Sequence, residues 1–434
     1  MKIAFVVHTF PSLSETFILN QIVGLIQEGH DVDIYAEESE VSDKIHPDVN
    51  KYNLTSRTYY QPKIPRNFLL RVAKAVVILL RYLFICPFAL FRCLNFVAYG
   101  RQASSLRLLY AIVPFIESRT KRYDIMHCHF GNEGVRGVFT REVLKLTAKV
   151  VTTFYGYDVN AYPLTYGKNV YLPLFKRGDH YIAISNFIGK EAISLGCPEA
   201  KLIKIPLGLD PAEYHFRPRS LPEGELIKIV TVARLVEKKG IEYSIQAVAE
   251  VAKKYPHIQY CIAGDGPLRA SLEQLIKTLK VEDKVKLLGW KTKDEVQQLY
   301  DDSHIFILAS VTAANGDKEG QGLVLQEAQS MGLPVIATIH NGFPDSIRDG
   351  TSGFLVPERD IPSLAHKLIY LVENPEVWSE MGHAGRTFVE EVFDNQKLTQ
   401  KLIHVYQLVL DSELEPSRTL ACQGTQQPTA NSQQ

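Results

Sequence analysis

The chain has 434 residues, with 48 Lys plus Arg against 48 Asp plus Glu, so its formal net charge is zero. That length exceeds what one hydrophobic core usually serves, so two domains are expected. Balanced charge excludes nucleic acid as a partner for the chain as a whole. The six cysteines form no Cys-x-x-Cys or zinc spacing, the pattern of a reduced, cytoplasmic protein.

The first apolar run, 3–7, is too short for a signal peptide and reads as a buried strand. The loop after it, Pro11-Ser12-Leu13-Ser14-Glu15-Thr16, faces the carboxyl edge of that strand. A second strand is expected at 32–35. Between Asp48 and Glu117 there are ten Lys or Arg and no acidic residue. Asn67, Arg71, Lys74 and Arg81 are spaced by four, three and seven, which places them on one narrow helical stripe. Apolar residues cover the rest, and no run reaches the length of a spanning helix. A basic stripe on an apolar helix suits an anionic membrane surface. The alternative is a buried helix with its stripe in water. This basic amphipathic insertion covers about 62–110.

Further strands are expected at 125–128, 150–154, 181–184 and 203–206. His127 and His129 share one face of the first of these. A metal site needs more, and no third ligand stands at a suitable spacing, so no metal is expected. Thr153-Phe154-Tyr155-Gly156-Tyr157-Asp158 ends the next strand with a phenol and a carboxylate. A Ser-His-Asp triad would want a Gly-x-Ser-x-Gly elbow, and none occurs. The N-terminal domain therefore takes 1–205, followed by a hinge over 206–224.

A second series follows at 227–232, 259–263, 285–288, 305–308 and 334–337, within a domain spanning 225–392. Alternating strands and amphipathic stretches predict an α/β protein with two doubly wound parallel sheets. Ligands of such sheets bind at the carboxyl ends of strands, hence in the cleft between the halves. Arg234 and Lys239 lie in the loop after the first strand of this series, where they suit a diphosphate. Surface solvation is the simpler alternative for these charges. Ala263-Gly264-Asp265-Gly266-Pro267 is a tight turn, and Leu288-Gly289-Trp290 ends a strand at the same edge, where it borders a nucleobase or serves as plain core.

Glu319-Gly320-Gln321-Gly322-Leu323-Val324-Leu325-Gln326-Glu327 carries two carboxylates eight positions apart. A helix beginning near Gly322 puts Glu327 about one turn inside it and Glu319 just before it. Free N–H groups at a helix start bind anions. Two carboxylates around an anion site suit a nucleotide-diphospho-sugar; the plain alternative is a polar loop capping an ordinary helix. A helix over 393–411 is expected to pack back on the N-terminal domain, and 412–434 reads as a disordered polar tail.

Together these segments resemble the retaining glycosyltransferases of family 4, over roughly residues 1–410 apart from the basic insertion. The most specific part is Glu319-x7-Glu327, supported by Arg234, Lys239, Ala263–Pro267 and Gly332-Leu333-Pro334-Val335-Ile336-Ala337. The stretches 10–17 and 153–158 look like the subgroup that builds bacterial exopolysaccharide, typified by colanic acid glycosyltransferases. The resemblance implies the GT-B fold, two facing Rossmann-like domains with a cleft between them. It implies transfer of a hexose from a nucleotide-diphospho-sugar donor to a saccharide or lipid-linked saccharide acceptor, with retention, no cofactor and no metal. The enzyme would work peripherally at the inner face of the cytoplasmic membrane. Arg234 and Lys239 would neutralise the donor diphosphate, and Glu319 would touch the transferred sugar. Backbone N–H groups at Gly322, Leu323 and Val324 would hold phosphate, Glu327 the ribose, with Gly264 and Gly289 beside the nucleotide. His129 and Asp158 would stand on the acceptor side. Many relatives have histidine where this chain has Tyr155, and a phenol stays neutral where an imidazole can carry charge. Two alternatives share these features: a GT-B sugar-nucleotide epimerase, and a non-catalytic nucleotide-sugar-binding subunit of a polysaccharide assembly complex.

Overall fold

Two parallel sheets organise the residues described by this computed structural model, 1–12, 15–40, 46–118 and 120–411. The first sheet contains β1 (Lys2–Thr9), β2 (Asp31–Glu38), β3 (Thr58–Tyr60), β4 (Ile125–His129), β5 (Lys149–Phe154), β6 (His180–Ala183) and β7 (Leu202–Lys204). Their order is β3-β2-β1-β4-β5-β6-β7. The second contains β8 (Ile227–Val232), β9 (Ile258–Ala263), β10 (Val285–Gly289), β11 (Ile305–Leu308), β12 (Val335–Thr338) and β13 (Gly353–Val356), in the order β10-β9-β8-β11-β12-β13. Every pairing is parallel. Each order reverses beside its first strand, and that switch point opens a crevice at the carboxyl ends.

The central strands are largely buried because helices cover both faces. Residues 3–7 of β1 and all of β11 and β12 are buried. Two edge strands were not anticipated. β3 is three half-buried residues with no apolar run, and β13 begins at a glycine.

The chain crosses between the halves twice, and the crossings are tied together. Leu209 N–H donates to the Phe393 carbonyl at 2.9 Å, and Asn395 N–H donates to Leu209 at 2.9 Å. The last helix, Asn395–Asp411, then lies on the first sheet. Its Leu402, Ile403, Val405 and Tyr406 join the core that contains Ile3, Phe5 and Ile22. Residues 412–434, expected to form the tail, lie outside the described residues.

Four helices, Phe68–Tyr82, Pro87–Cys93, Phe96–Ser104 and Arg107–Glu117, stand between β3 and β4. Two of the three cations in the basic stripe expected to suit a membrane surface are turned onto loop carbonyls instead. Arg71 donates to the carbonyls of Pro65 (2.9 and 3.0 Å) and Ser105 (3.3 Å), and Lys74 donates to that of Lys63 at 2.8 Å. Asn67 caps the helix, accepting from Leu69 and Leu70 N–H. The physical reason is local: loop carbonyls without secondary-structure partners need donors, and these long side chains supply them. Arg81 alone of the three cations stays exposed. The helix thus turns Arg71 and Lys74 toward the protein beside the buried Ala75, Ile78 and Tyr82, with much of its apolar side turned out. Among the described residues no helix is long and apolar enough to cross a membrane.

Candidate active site

A cavity of roughly 600 Å³ lies between the carboxyl edges of the two sheets. The second sheet contributes the loops after β8, β9, β10 and β11, and the first contributes the loops after β1, β4 and β5. The site is assembled from loops that only the fold brings together.

Arg234 and Lys239 both line this cavity. Their loop is fixed by its neighbour: Ala233 N–H donates to Ala263, and Leu235 N–H to Asp265, each at 2.9 Å. The close approach requires glycine at 264. Its φ is +134°, and a Cβ there would run into the Ala233 carbonyl. Arg234 is exposed to the cavity, whereas Lys239 forms an ion pair with Glu319 at 2.5 Å. Burial pushes the Glu319 carboxyl up, but Lys239 and then Lys238 outweigh it, so the net shift is downward and the group is a carboxylate near neutrality. Lys238 itself pairs with Asp317 at 3.1 Å.

The helix Leu323–Ser330 begins at Gly322, which is left-handed at φ 75°. Gly322, Leu323 and Val324 line the cavity, and the first turn holds no acidic side chain. First-turn N–H groups have no intrahelical acceptor, so this is an anion-favouring end aimed into the cleft beside two cations. Glu327 sits one turn in, where its Oε2 accepts from Tyr300 at 3.0 Å. It is not part of the cavity wall. Nor is Gly289, whose carbonyl accepts the Gly264 N–H at 2.8 Å and so shapes the turn from behind. Trp290, beside it, is exposed and lines the cavity.

On the other side, His129 and Asp158 do not reach the cavity, contrary to the expectation that they touch substrate. His129 is buried, stacked on Phe5 at 4.8 Å, with Nδ1 on the Tyr155 hydroxyl at 2.6 Å. Burial holds its pKa well below the ordinary value, as it does for His127, which falls to about 3. His127 is structural: its nitrogens meet Thr153 and Tyr406 at 2.7 and 2.6 Å. Asp158 accepts from the N–H groups of Gly131, Tyr155 and Gly156 at 3.0, 3.1 and 2.8 Å. It ties the start of the helix Gly131–Leu144 to the turn after β5. The side chains that do face the cleft here include Glu15, Phe17, Phe130, Tyr155 and Tyr157. The strand alternation that put His129 on the right face could not show that Tyr155 covers it.

Other contributors were not singled out by sequence. Glu15 Oε2 is buried without a hydrogen-bond partner, and burial raises its pKa. His340, just past β12, accepts the Glu319 N–H on Nε2 at 3.0 Å and meets Glu358 through Nδ1 at 2.5 Å. Burial keeps this imidazole neutral against the pull of Glu358, so the network assigns its proton to Nδ1. Gln321, inside the two-glutamate segment, spans the halves. It accepts from Leu207 N–H and donates to Leu207 carbonyl, both at 2.7 Å. The halves also meet at Gly320, where a Cβ would stand 2.5 Å from the Tyr155 carbonyl, and at Asn186, which binds Asp345 twice at 2.6 Å. His340 was legible in principle, since it follows a recognised strand at the cleft edge.

Among the described residues one group has metal-ligand geometry: His8, Glu37 and Glu133. Arg136 already pairs with both carboxylates, at 2.5 and 2.7 Å, and so neutralises the charge a cation would seek.

The profile "Glycosyltransferase Family 4" matches residues 14–213, and "Glycosyl transferases group 1" matches residues 215–388. The chain is 33% identical over 412 residues to WcaL of Salmonella typhimurium, named as a colanic acid biosynthesis glycosyltransferase, covering 94% of this chain and 100% of WcaL. It is 34% identical over 410 residues to the amylovoran biosynthesis glycosyltransferase AmsK of Erwinia amylovora, covering 93% and 99%. Its fold is similar to that of Anabaena HepE, solved with UDP and glucose, at a TM-score of 0.66 and 18% identity, covering 94% and 100%. The architecture is GT-B.

Proposed function

This chain belongs to the family 4 glycosyltransferases of exopolysaccharide biosynthesis, and from that premise we propose that it moves a hexose from a nucleotide-diphospho-sugar to a lipid-linked saccharide, with retention of configuration. One observation carries the donor reading. Arg234, the Lys239–Glu319 pair and the start of the helix Leu323–Ser330 converge on one cavity. Two cations and a helix N-terminus are a match for a diphosphate, and a carboxylate beside them is a match for sugar hydroxyls. The UDP in the complex of the similarly folded HepE is consistent with such a donor.

In the reaction the bond between the sugar's anomeric carbon and the diphosphate oxygen breaks. The acceptor oxygen bonds that carbon on the same face, and its proton passes to a diphosphate oxygen. The main charge to stabilise is on the leaving diphosphate, where Arg234 and Lys239 act without a metal. Glu319 holds the sugar, and the Lys239 ammonium bridges that carboxylate and the phosphates. Glu327, kept in place by Tyr300, takes ribose hydroxyls once the donor is bound. His129 and Asp158 act indirectly, by holding Tyr155 and its turn against the acceptor side. Closure across Gly320 and Gln321 excludes water, which limits donor hydrolysis.

The test is a panel of nucleotide sugars incubated with and without a polyprenyl-diphosphate-linked saccharide, reading nucleoside diphosphate release. Release that requires the acceptor is expected. Acceptor-independent conversion of a donor to free sugar would replace this reading with an epimerase or hydrolase.

A further inference from the structure

The helices between β3 and β4 turn a broad apolar surface outward. Leu69 is 77% exposed, Phe84 94%, Phe88 75% and Val97 84%, and Leu80, Phe91 and Phe96 accompany them. An isolated exposed apolar residue is ordinary, but so many on consecutive helices form a patch that wants a cover. The sequence around it has one sign of charge, with ten cations and no acid between Asp48 and Glu117. Arg71 and Lys74 are spent inward on loop carbonyls, while Lys63, Arg66, Arg81, Arg101 and Arg107 remain exposed. An apolar face with exposed cations and no carboxylates in its own segment is complementary to anionic headgroups over acyl chains.

The face is also continuous with the cleft. Arg101, on the helix Phe96–Ser104, lies over the Tyr166 ring at 5.9 Å. Tyr166 packs on Tyr162 at 4.4 Å, and Tyr162 on Tyr157 at 6.1 Å. Tyr157 lines the cavity. Aromatic rings with polar tips favour the membrane–water boundary.

We propose that this face docks on an anionic lipid bilayer by inserting its apolar side chains, with the tyrosine row setting the cleft mouth at the membrane surface, where a lipid-linked acceptor enters. The purpose of docking rests on the lipid-linked acceptor proposed above; the docking itself does not require turnover.

Full-length protein is mixed with vesicles of phosphatidylcholine alone, or with about one third phosphatidylglycerol, and sedimented. Wild type is expected to bind the anionic vesicles more tightly. The variant Leu69→Ser/Leu80→Ser/Phe88→Ser should bind at least about tenfold more weakly, since each insertion removes apolar surface from water. The exposed-cation variant Arg66→Gln/Arg81→Gln should lose the preference for anionic vesicles while keeping residual binding. Circular dichroism and sedimentation velocity without lipid check that the variants fold. Turnover on a detergent-solubilised acceptor should be unchanged in both, which separates failed docking from a failed enzyme assignment. Wild type that ignores vesicles, or a serine variant that binds as well as wild type, overturns the proposal. So does a lipid-free dimer dissolved by the serine substitutions, which would make a second copy the cover.

Discussion

Arg234 and Lys239 stand in the same loop and are proposed to meet the same diphosphate, yet the structure predicts that removing them has different consequences. Each removes one cation aimed at charge that develops on the leaving group, a loss of about 3 kcal/mol of barrier stabilisation, or roughly 150-fold in turnover. Because that charge exists mainly in the transition state, kcat and kcat/KM should fall together. Stability separates the two. Arg234 is exposed, so Arg234→Ala should change folding by no more than about 0.5 kcal/mol. Lys239 is the counter-charge of Glu319, whose side chain is only 17% exposed. Stranding a buried charge costs about 3–5 kcal/mol, and the partial exposure here reduces that to about 2 kcal/mol. The pH dependence has a definite sign. In wild type the Glu319 carboxyl is depressed, so the pair's contribution is complete above the ordinary carboxylate value and is lost as pH falls through the lower folded value. In Lys239→Ala burial is opposed only by weaker charges, the carboxyl rises, and the variant's deficit should shrink as pH falls toward about 5. Thermal unfolding from pH 5 to 8 with steady-state kinetics at saturating donor measures both effects. Wild-type turnover in a folded Arg234→Ala, or a Lys239→Ala as stable as wild type at pH 7, refutes this reasoning.

Glu327→Ala should weaken nucleoside diphosphate binding about tenfold or more by calorimetry, because a charged acceptor for ribose hydroxyls is lost; unchanged affinity contradicts that role. His340→Ala should lower turnover about tenfold by releasing the Glu319 backbone, with recovery in His340→Gln if acceptance of the Glu319 N–H is what matters. Equal activity in all three proteins would show that the loop holds itself. Gly320→Ala drives a Cβ into the Tyr155 carbonyl, so the halves should separate at a cost of about 1–3 kcal/mol, visible as a larger radius of gyration and faster donor hydrolysis. Identical scattering curves would mean the contact is not a closure point. Turnover should survive exhaustive chelation, since Arg234 and Lys239 serve the diphosphate and Arg136 occupies the His8–Glu37–Glu133 group. Activity lost on chelation and restored by one metal would contradict it.

Most of the fold was legible because parallel strands buried on both faces leave continuous apolar runs, and 3–7, 305–308 and 335–337 are of that kind. β3 escaped because an edge strand of three half-buried residues leaves no such run. The donor side was legible for a related reason. Arg234 follows the recognised strand β8 by two residues and Glu319 stands just before the helix that opens after Gly322, so sequence position nearly fixes where both stand. The acceptor side was harder. His129 has the right parity on β4, yet Tyr155 from the next strand closes over it, a packing fact no single strand encodes. Asp158 reads as an available carboxylate, but three backbone N–H groups claim it. The helix Phe68–Tyr82 departs from the usual rule, because loop carbonyls rather than solvent took two of its three cations, Arg71 and Lys74.

The most direct test of the account is proton NMR of the reaction mixture during the first turnovers, with an α-configured nucleotide sugar and a lipid-linked saccharide acceptor. The account predicts that an α-linked product and nucleoside diphosphate appear in step, and that both disappear in Arg234→Ala. A β-linked product, or free sugar formed without acceptor, would contradict it.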